Sequence, residues 1–165
     1  MLWPAKRWLP YTAAMAAMVA IFAAGLSLVH PWGNLRQNSS VRAPILVDEA
    51  VPGQVRTLLA QKCGDCHSNN THWPLYSRVA PTSWLVEHDV AFGRKHLNFS
   101  SWEQYGSDVR IDLLSKVGSQ LRRGRMPLRG YLWLHPEARL SAAERELILD
   151  WSRVERRHLL SSASR

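Results

Sequence analysis

Residues 63–67 read Cys63-Gly64-Asp65-Cys66-His67, and they contain both cysteines of the chain. The next fifteen, SNNTHWPLYSRVAPT over 68–82, are turn-rich and aromatic. A C-x-x-C-H pattern sets two thiols about one helical turn apart and an imidazole beside the second. That spacing suits covalent attachment of one haem. The thiols reach two vinyl groups to form thioethers, and His67 turns its imidazole toward the iron. Competing chemistries fit less well. A thioredoxin-like redox pair wants a βαβ context that is absent here. A zinc site needs further ligands, and His67, His72, His88 and His96 are irregularly spaced. One cysteine pair cannot staple a chain of 165 residues.

Upstream of the motif, Val51, Val55, Leu58 and Leu59 repeat at helical spacing, which predicts a helix over 47–61 ending near Lys62. Pro52 is tolerated there if it lies in the first turn. Downstream, a short helix is expected over 83–93 and a loop over 94–105. Ile111, Leu114, Val117 and Leu121 mark a longer helix over 108–122, closed by Gly124 and Pro127. Ser141-Ala142-Ala143-Glu144 is a capping box. The Leu147, Trp151 and Val154 stripe behind it should meet Val55, Leu58 or Leu59. No stretch alternates with the period of a strand. The expected fold class is therefore all-α.

The N-terminal stretch from Tyr11 to Val29 carries no charge. At about 1.5 Å per residue its length approaches the ~30 Å of a bilayer core. Lys6 and Arg7 precede it, and Trp8, Tyr11 and Trp32 flank it. This predicts a single N-terminal transmembrane helix in a bacterial cytoplasmic membrane. The N-terminus would then lie in the cytoplasm and the remainder in the periplasm or other extracytoplasmic space. A cleaved signal peptide is the competing reading. The resulting scheme is a stub and anchor over 1–33, a tether over 34–45, a haem-binding domain over 46–158 and a flexible tail over 159–165.

The formal net charge is +8. Because the basic residues are spread along the chain and form no basic arm, nucleic acid is not the expected partner. Eight tryptophans can supply the buried area that a core wrapped around a large flat ligand requires. For the sixth iron ligand the foremost candidate is Met126, held in a loop by Pro127. A thioether there raises the reduction potential relative to a second imidazole. Met126 can also simply fill core space. His88, His96 and His135 are alternative distal ligands. Trp73 is placed along the haem edge. Arg78 and Arg94 are candidate propionate partners, with solvated surface charge as the plainer reading for each. Arg122, Arg123, Arg125 and Arg129 surround Met126 and suit an acidic partner.

Three blocks in order, CGDCHSNNTHWPLYSRVAP, SWLVEHDVAFGRKHLNFSSW and GRMPLRGYLWLHPEARLSAAE, make the sequence resemble the haem-binding domain family of small exported bacterial cytochromes. The resemblance runs from about Leu46 to Trp151. It implies a class I-like cytochrome c domain with one haem c, attached through Cys63 and Cys66 and ligated by His67. It places the Met-Pro segment of the family on Met126-Pro127 and its Trp-Pro pair on Trp73-Pro74. The middle block of the family falls on His88, Gly93, Arg94, His96 and Asn98.

The function expected from motif and resemblance together is single-electron transfer by a monohaem c-type cytochrome, not enzymatic catalysis. Its partners would be redox proteins, acidic or membrane-bound, within a respiratory or photosynthetic complex. A peroxidase-like haem enzyme or a gas sensor, either with a labile distal ligand, is one alternative. A structural haem subunit is the other.

Overall fold

The computed structural model describes residues 9–36, 44–46 and 51–163. Residues 1–8 of the expected stub and anchor, most of the 34–45 tether and the start of the helix expected from Val47 lie outside the described residues. Among those described, all regular structure is helical. Six α-helices follow in order: α1 (Leu9–Leu26), α2 (Gly53–His67), α3 (Thr82–His96), α4 (Ser107–Arg122), α5 (Arg129–Leu134) and α6 (Ala142–Ala163). Short 3₁₀ turns span Leu75–Arg78, Phe99–Gln104 and Pro136–Ala138. The chain divides into two compact units. One draws on Met1–Asn38 and Trp73–Ala91, the other on Ser39–His72 and Phe92–Arg165.

In the first unit, α1 is an alanine-rich helix of 18 residues, about 27 Å long at the usual rise. It stops at Leu26, where the Ser27 hydroxyl turns back to donate to the Ala23 carbonyl at 2.6 Å. Among the described residues no helix is long and apolar enough to cross a membrane. The expected transmembrane anchor over 11–29, and the single-pass membrane location built on it, are corrected accordingly. The physical reason is the turn at Ser27, which ends the helix at Leu26, three residues short of the end of the uncharged run. The segment after α1 is clamped by polar contacts within its own unit. Ser27 Oγ accepts from the Ala80 amide at 2.9 Å. The Trp84 indole donates to the Val29 carbonyl at 2.8 Å. Arg36 donates to the Ser77 carbonyl at 2.6 Å.

The second unit holds the larger core. Val55, Leu58 and Leu59 of α2 join Leu113, Leu114 and Leu121 of α4 and Ile148, Leu149, Trp151 and Leu159 of α6 in one buried cluster. Phe99 and Trp102 from the intervening 3₁₀ turn complete it. α6 packs chiefly along α4 and also touches α2, the helix on which its stripe was expected to meet Val55, Leu58 or Leu59. The stripe itself differs from the expected one. Ile148, Trp151, Glu155 and Leu159 are buried, whereas Val154 is 56% exposed. The capping box is present in full. Ser141 Oγ accepts from the Glu144 amide at 3.2 Å and Glu144 Oε2 accepts from the Ser141 amide at 2.7 Å. The helix then continues to Ala163, past the 158 boundary suggested by the serine-rich tail.

Two further elements run longer than the sequence suggested. α2 does not end near Lys62 but carries through the whole motif to His67. Gly64 and Asp65 are poor helix formers in isolation, yet Gly64 is buried, with Ile45 near the position a Cβ would take. Packing overrides propensity there. α3 extends to His96, so Arg94 to His96 are helical and not loop. The core assignment gives a direct check by chemical denaturation of the haem-loaded protein. Ile148→Ala should lose about 2–5 kcal/mol, while Val154→Ala should stay within about 0.5 kcal/mol of the parent. Equal losses would mean that the stripe is misassigned.

Candidate functional site

The last turn of α2 presents Cys63, Cys66 and His67, all in the second unit. Neither cysteine forms a disulfide. Burial, followed by the neighbouring Cys66, pushes the Cys63 thiol up to about 12. Cys63 is therefore a neutral thiol and lacks the thiolate character of a redox pair. Among the described residues no three His, Cys, Asp or Glu side chains are grouped to hold a metal ion, so the zinc alternative has no ligand set.

His67 is oriented by backbone. Its Nδ1 lies 2.9 Å from the Leu97 carbonyl. A carbonyl only accepts, so Nδ1 must carry the proton, and the Nε2 lone pair remains available to a metal. Burial lowers the imidazole below its ordinary value, with the Leu97 and Gly93 carbonyls opposing the shift. A neutral imidazole is the form that can ligate.

The carbonyl that aims His67 is brought there by a close helix approach. At Gly93 on α3, an added Cβ would lie 2.5 Å from the Cys66 carbonyl oxygen. Only glycine permits that approach. One residue on, Arg94 donates to the Ser68 carbonyl at 2.8 Å and to Thr71 Oγ1 at 2.9 Å. Its guanidinium thus closes the loop after the motif. Asn98 Nδ2 donates to Asn69 Oδ1 at 2.9 Å, and the Asn69 amide donates to Ser100 Oγ at 3.0 Å. The segment 93–100 therefore braces the motif from Cys66 to Thr71.

Met126 is half-buried and follows the end of α4. Gly124, at φ +62°, takes the left-handed turn that ends the helix, and the Arg125 amide returns to the Gln120 carbonyl at 3.0 Å. The Met126–Pro127 peptide is cis. An open pocket of about 410 Å³ beside Met126 is lined by Leu132 and Trp133 and by Arg129, Arg139 and Arg145.

The other candidates are divided between the two units. Trp73, Arg78 and His88 belong to the first unit. There the Arg36 guanidinium lies 5.5 Å from the Trp73 ring centroid, Arg78 is exposed, and His88 meets the Trp32 ring edge-on at 4.7 Å. In the second unit, the exposed His96 donates through Nδ1 to the Phe92 carbonyl at 2.8 Å. His135 stacks on Tyr131 at 4.2 Å and pairs with Glu137 at 3.0 Å.

Sequence reading missed the roles of Gly93 and the Leu97 carbonyl. A glycine inside a helix costs about 1 kcal/mol against alanine, so its presence in α3 was a signal of close packing. A backbone acceptor leaves no such trace. Asp65 and Tyr131 also went unnoticed, although Tyr131 donates to Asp65 Oδ2 at 2.7 Å.

A helical unit built around C-x-x-C-H, with its imidazole aimed by a carbonyl and its second ring nitrogen left to ligate, defines a haem-binding domain. The donor set fits that group. The chain matches the family model described as a haem-binding domain over residues 21–154, and it belongs to that family. No curated protein and no solved structure matches it.

Replacing Gly93 should test the brace. Gly93→Ala forces α3 away from the Cys66 carbonyl, and overpacking of this kind costs about 1–3 kcal/mol. We expect that loss in denaturation of the haem-loaded protein, together with a lower haem-to-protein ratio on purification. Parental stability and haem content would show that the approach is not required.

Proposed function

We propose that this protein is a monohaem c-type electron carrier, with haem attached through Cys63 and Cys66 and ligated by His67 and Met126. The observation that carries the proposal is the hydrogen bond from His67 Nδ1 to the Leu97 carbonyl, on the helix turn that also bears both thiols. Haem, when bound, supplies a ferric–ferrous couple for single electrons. The rest of the work falls to the chain. Cys63 and Cys66 prevent loss of the group. His67 keeps one tautomer and one orientation, which limits rearrangement between oxidation states. Met126, placed by the Gly124 turn, would hold the sixth position, and its thioether would raise the potential relative to a second imidazole. Ligation by both His67 and Met126 would leave no site for a substrate, which favours a carrier over an enzyme or sensor.

Arg122, Arg123, Arg125 and Arg129 are all exposed around Met126. A basic face of this kind steers association with an acidic redox protein and makes the rate fall with ionic strength. Such a protein is the partner we assign to it.

Two measurements test the proposal. Haem in the parent should resist acid–acetone extraction, and haem in the Cys63→Ala/Cys66→Ala double variant should be extracted. The ferric parent should show a weak far-red band from sulfur ligation, and Met126→Ala should lose it and have a lower potential. A bis-imidazole spectrum indifferent to Met126→Ala would move the ligand to His88, His96 or His135. A high-spin ferric parent would favour an enzyme or sensor.

A further inference from the structure

The chain from Gly124 to His135 forms a strap with firm ends and little to hold its middle. At one end α4 is buried through Leu121. At the other, Ala138 and Leu140 are buried, and Lys62 of α2 donates to the Glu137 carbonyl. Between them, α5 has no buried residue. Trp133 is 85% exposed and Leu134 61% exposed, so the apolar contacts that fix the other helices of this unit are weak here. What joins α5 to the motif helix is the hydrogen bond from Tyr131 Oη to Asp65 Oδ2, 2.7 Å long.

Asp65 is one of the two variable positions of C-x-x-C-H, and its other atoms are also engaged. Its Oδ1 accepts from the His72 amide at 2.8 Å and its backbone carbonyl accepts from Thr71 Oγ1 at 2.5 Å. Its carboxylate is therefore held in place before it receives the phenol. Burial, reinforced by Asp65, pushes the Tyr131 phenol up, so it stays a proton donor throughout the neutral range. Tyr131 lies five residues beyond Met126 in the sequence.

We infer that the Asp65–Tyr131 hydrogen bond is a latch that seats the strap bearing Met126 against the attachment motif, so that Asp65 and Tyr131 are positioning residues for the sixth ligand. The inference rests on Met126 as ligand for its spectroscopic consequence, but not for the movement of the strap. The latch joins the two axial sides through the motif itself. The residue between the cysteines would then set how tightly the opposite side is closed.

The test uses the haem-loaded protein and its Tyr131→Phe, Asp65→Asn, double and Met126→Ala variants. Trypsin reports the strap directly, because Arg125 and Arg129 lie in it and Arg123 immediately precedes it. Imidazole binding to ferric haem reports how readily the sixth ligand is displaced. A lost hydrogen bond to a charged group should change each by about ten-fold or more. We expect Tyr131→Phe to keep covalent haem, to be cleaved about ten-fold faster within 123–129 and to bind imidazole about ten-fold more tightly. The double variant should go no further than either single one, and Tyr131→Phe should add nothing to imidazole affinity in a Met126→Ala background.

Unchanged cleavage in Tyr131→Phe would overturn the latch, whatever imidazole does. Faster cleavage with unaltered imidazole affinity and sulfur band would overturn its coupling to Met126. If the parent lacks the sulfur band but Tyr131→Phe is cleaved faster, the latch stands and the Met126 ligand fails. Should Asp65→Asn impair haem attachment, Tyr131→Phe, which leaves the motif intact, still decides.

Discussion

The close approach of α3 to the Cys66 carbonyl at Gly93 is the contact on which the candidate site depends. A side chain of any size there would sit within 2.5 Å of a backbone oxygen, so the two helices could not meet. Because they do meet, Leu97 arrives with its carbonyl at His67, and Arg94 reaches the loop after the motif. One missing Cβ thus positions an imidazole, selects its tautomer and closes the following turn. The cost of glycine inside a helix, about 1 kcal/mol, is offset by the hydrogen bonds and packing that the approach allows.

The legibility of the fold followed how local each signal was. The capping box at Ser141 and Glu144, the α4 periodicity and the Gly124 stop are written within a few residues, and each appears where the sequence put it. The motif turn was harder. Gly64-Asp65 reads as a helix end by propensity, and only burial of Gly64 keeps α2 intact. Val154 misled for a related reason, since spacing alone cannot separate a buried stripe from its neighbour one residue away. The uncharged N-terminal run was read by length, and the turn at Ser27 depends on a contact with the Ala80 amide far along the chain.

The site was legible in its chemistry and much less so in its supports. Cys63, Cys66 and His67 announce themselves by spacing. Their orientation comes from Leu97 and Gly93, thirty residues away for the hydrogen-bonded pair, and a backbone carbonyl has no residue identity to recognise. Arg94 shows the converse. It was visible as a charge and offered as a candidate propionate partner, and the structure adds a role no charge announces, its guanidinium donating to Ser68 and Thr71.

The two faces of the motif helix are held in physically different ways. His67 is fixed by the main-chain oxygen of Leu97, which directly follows the closely packed α3, so no single side-chain exchange at Leu97 can remove the acceptor. The strap carrying Met126 is tied by a phenol and a carboxylate, and either can be replaced without disturbing the core. Under the proposed ligation, a rigid His67 side and an adjustable Met126 side would suit a haem protein whose potential is tuned apart from its attachment. The residue between the cysteines would be where such tuning enters. Asp65 sits in the motif helix and meets the strap through Tyr131, so a change there would alter the sixth position without touching either proposed ligand.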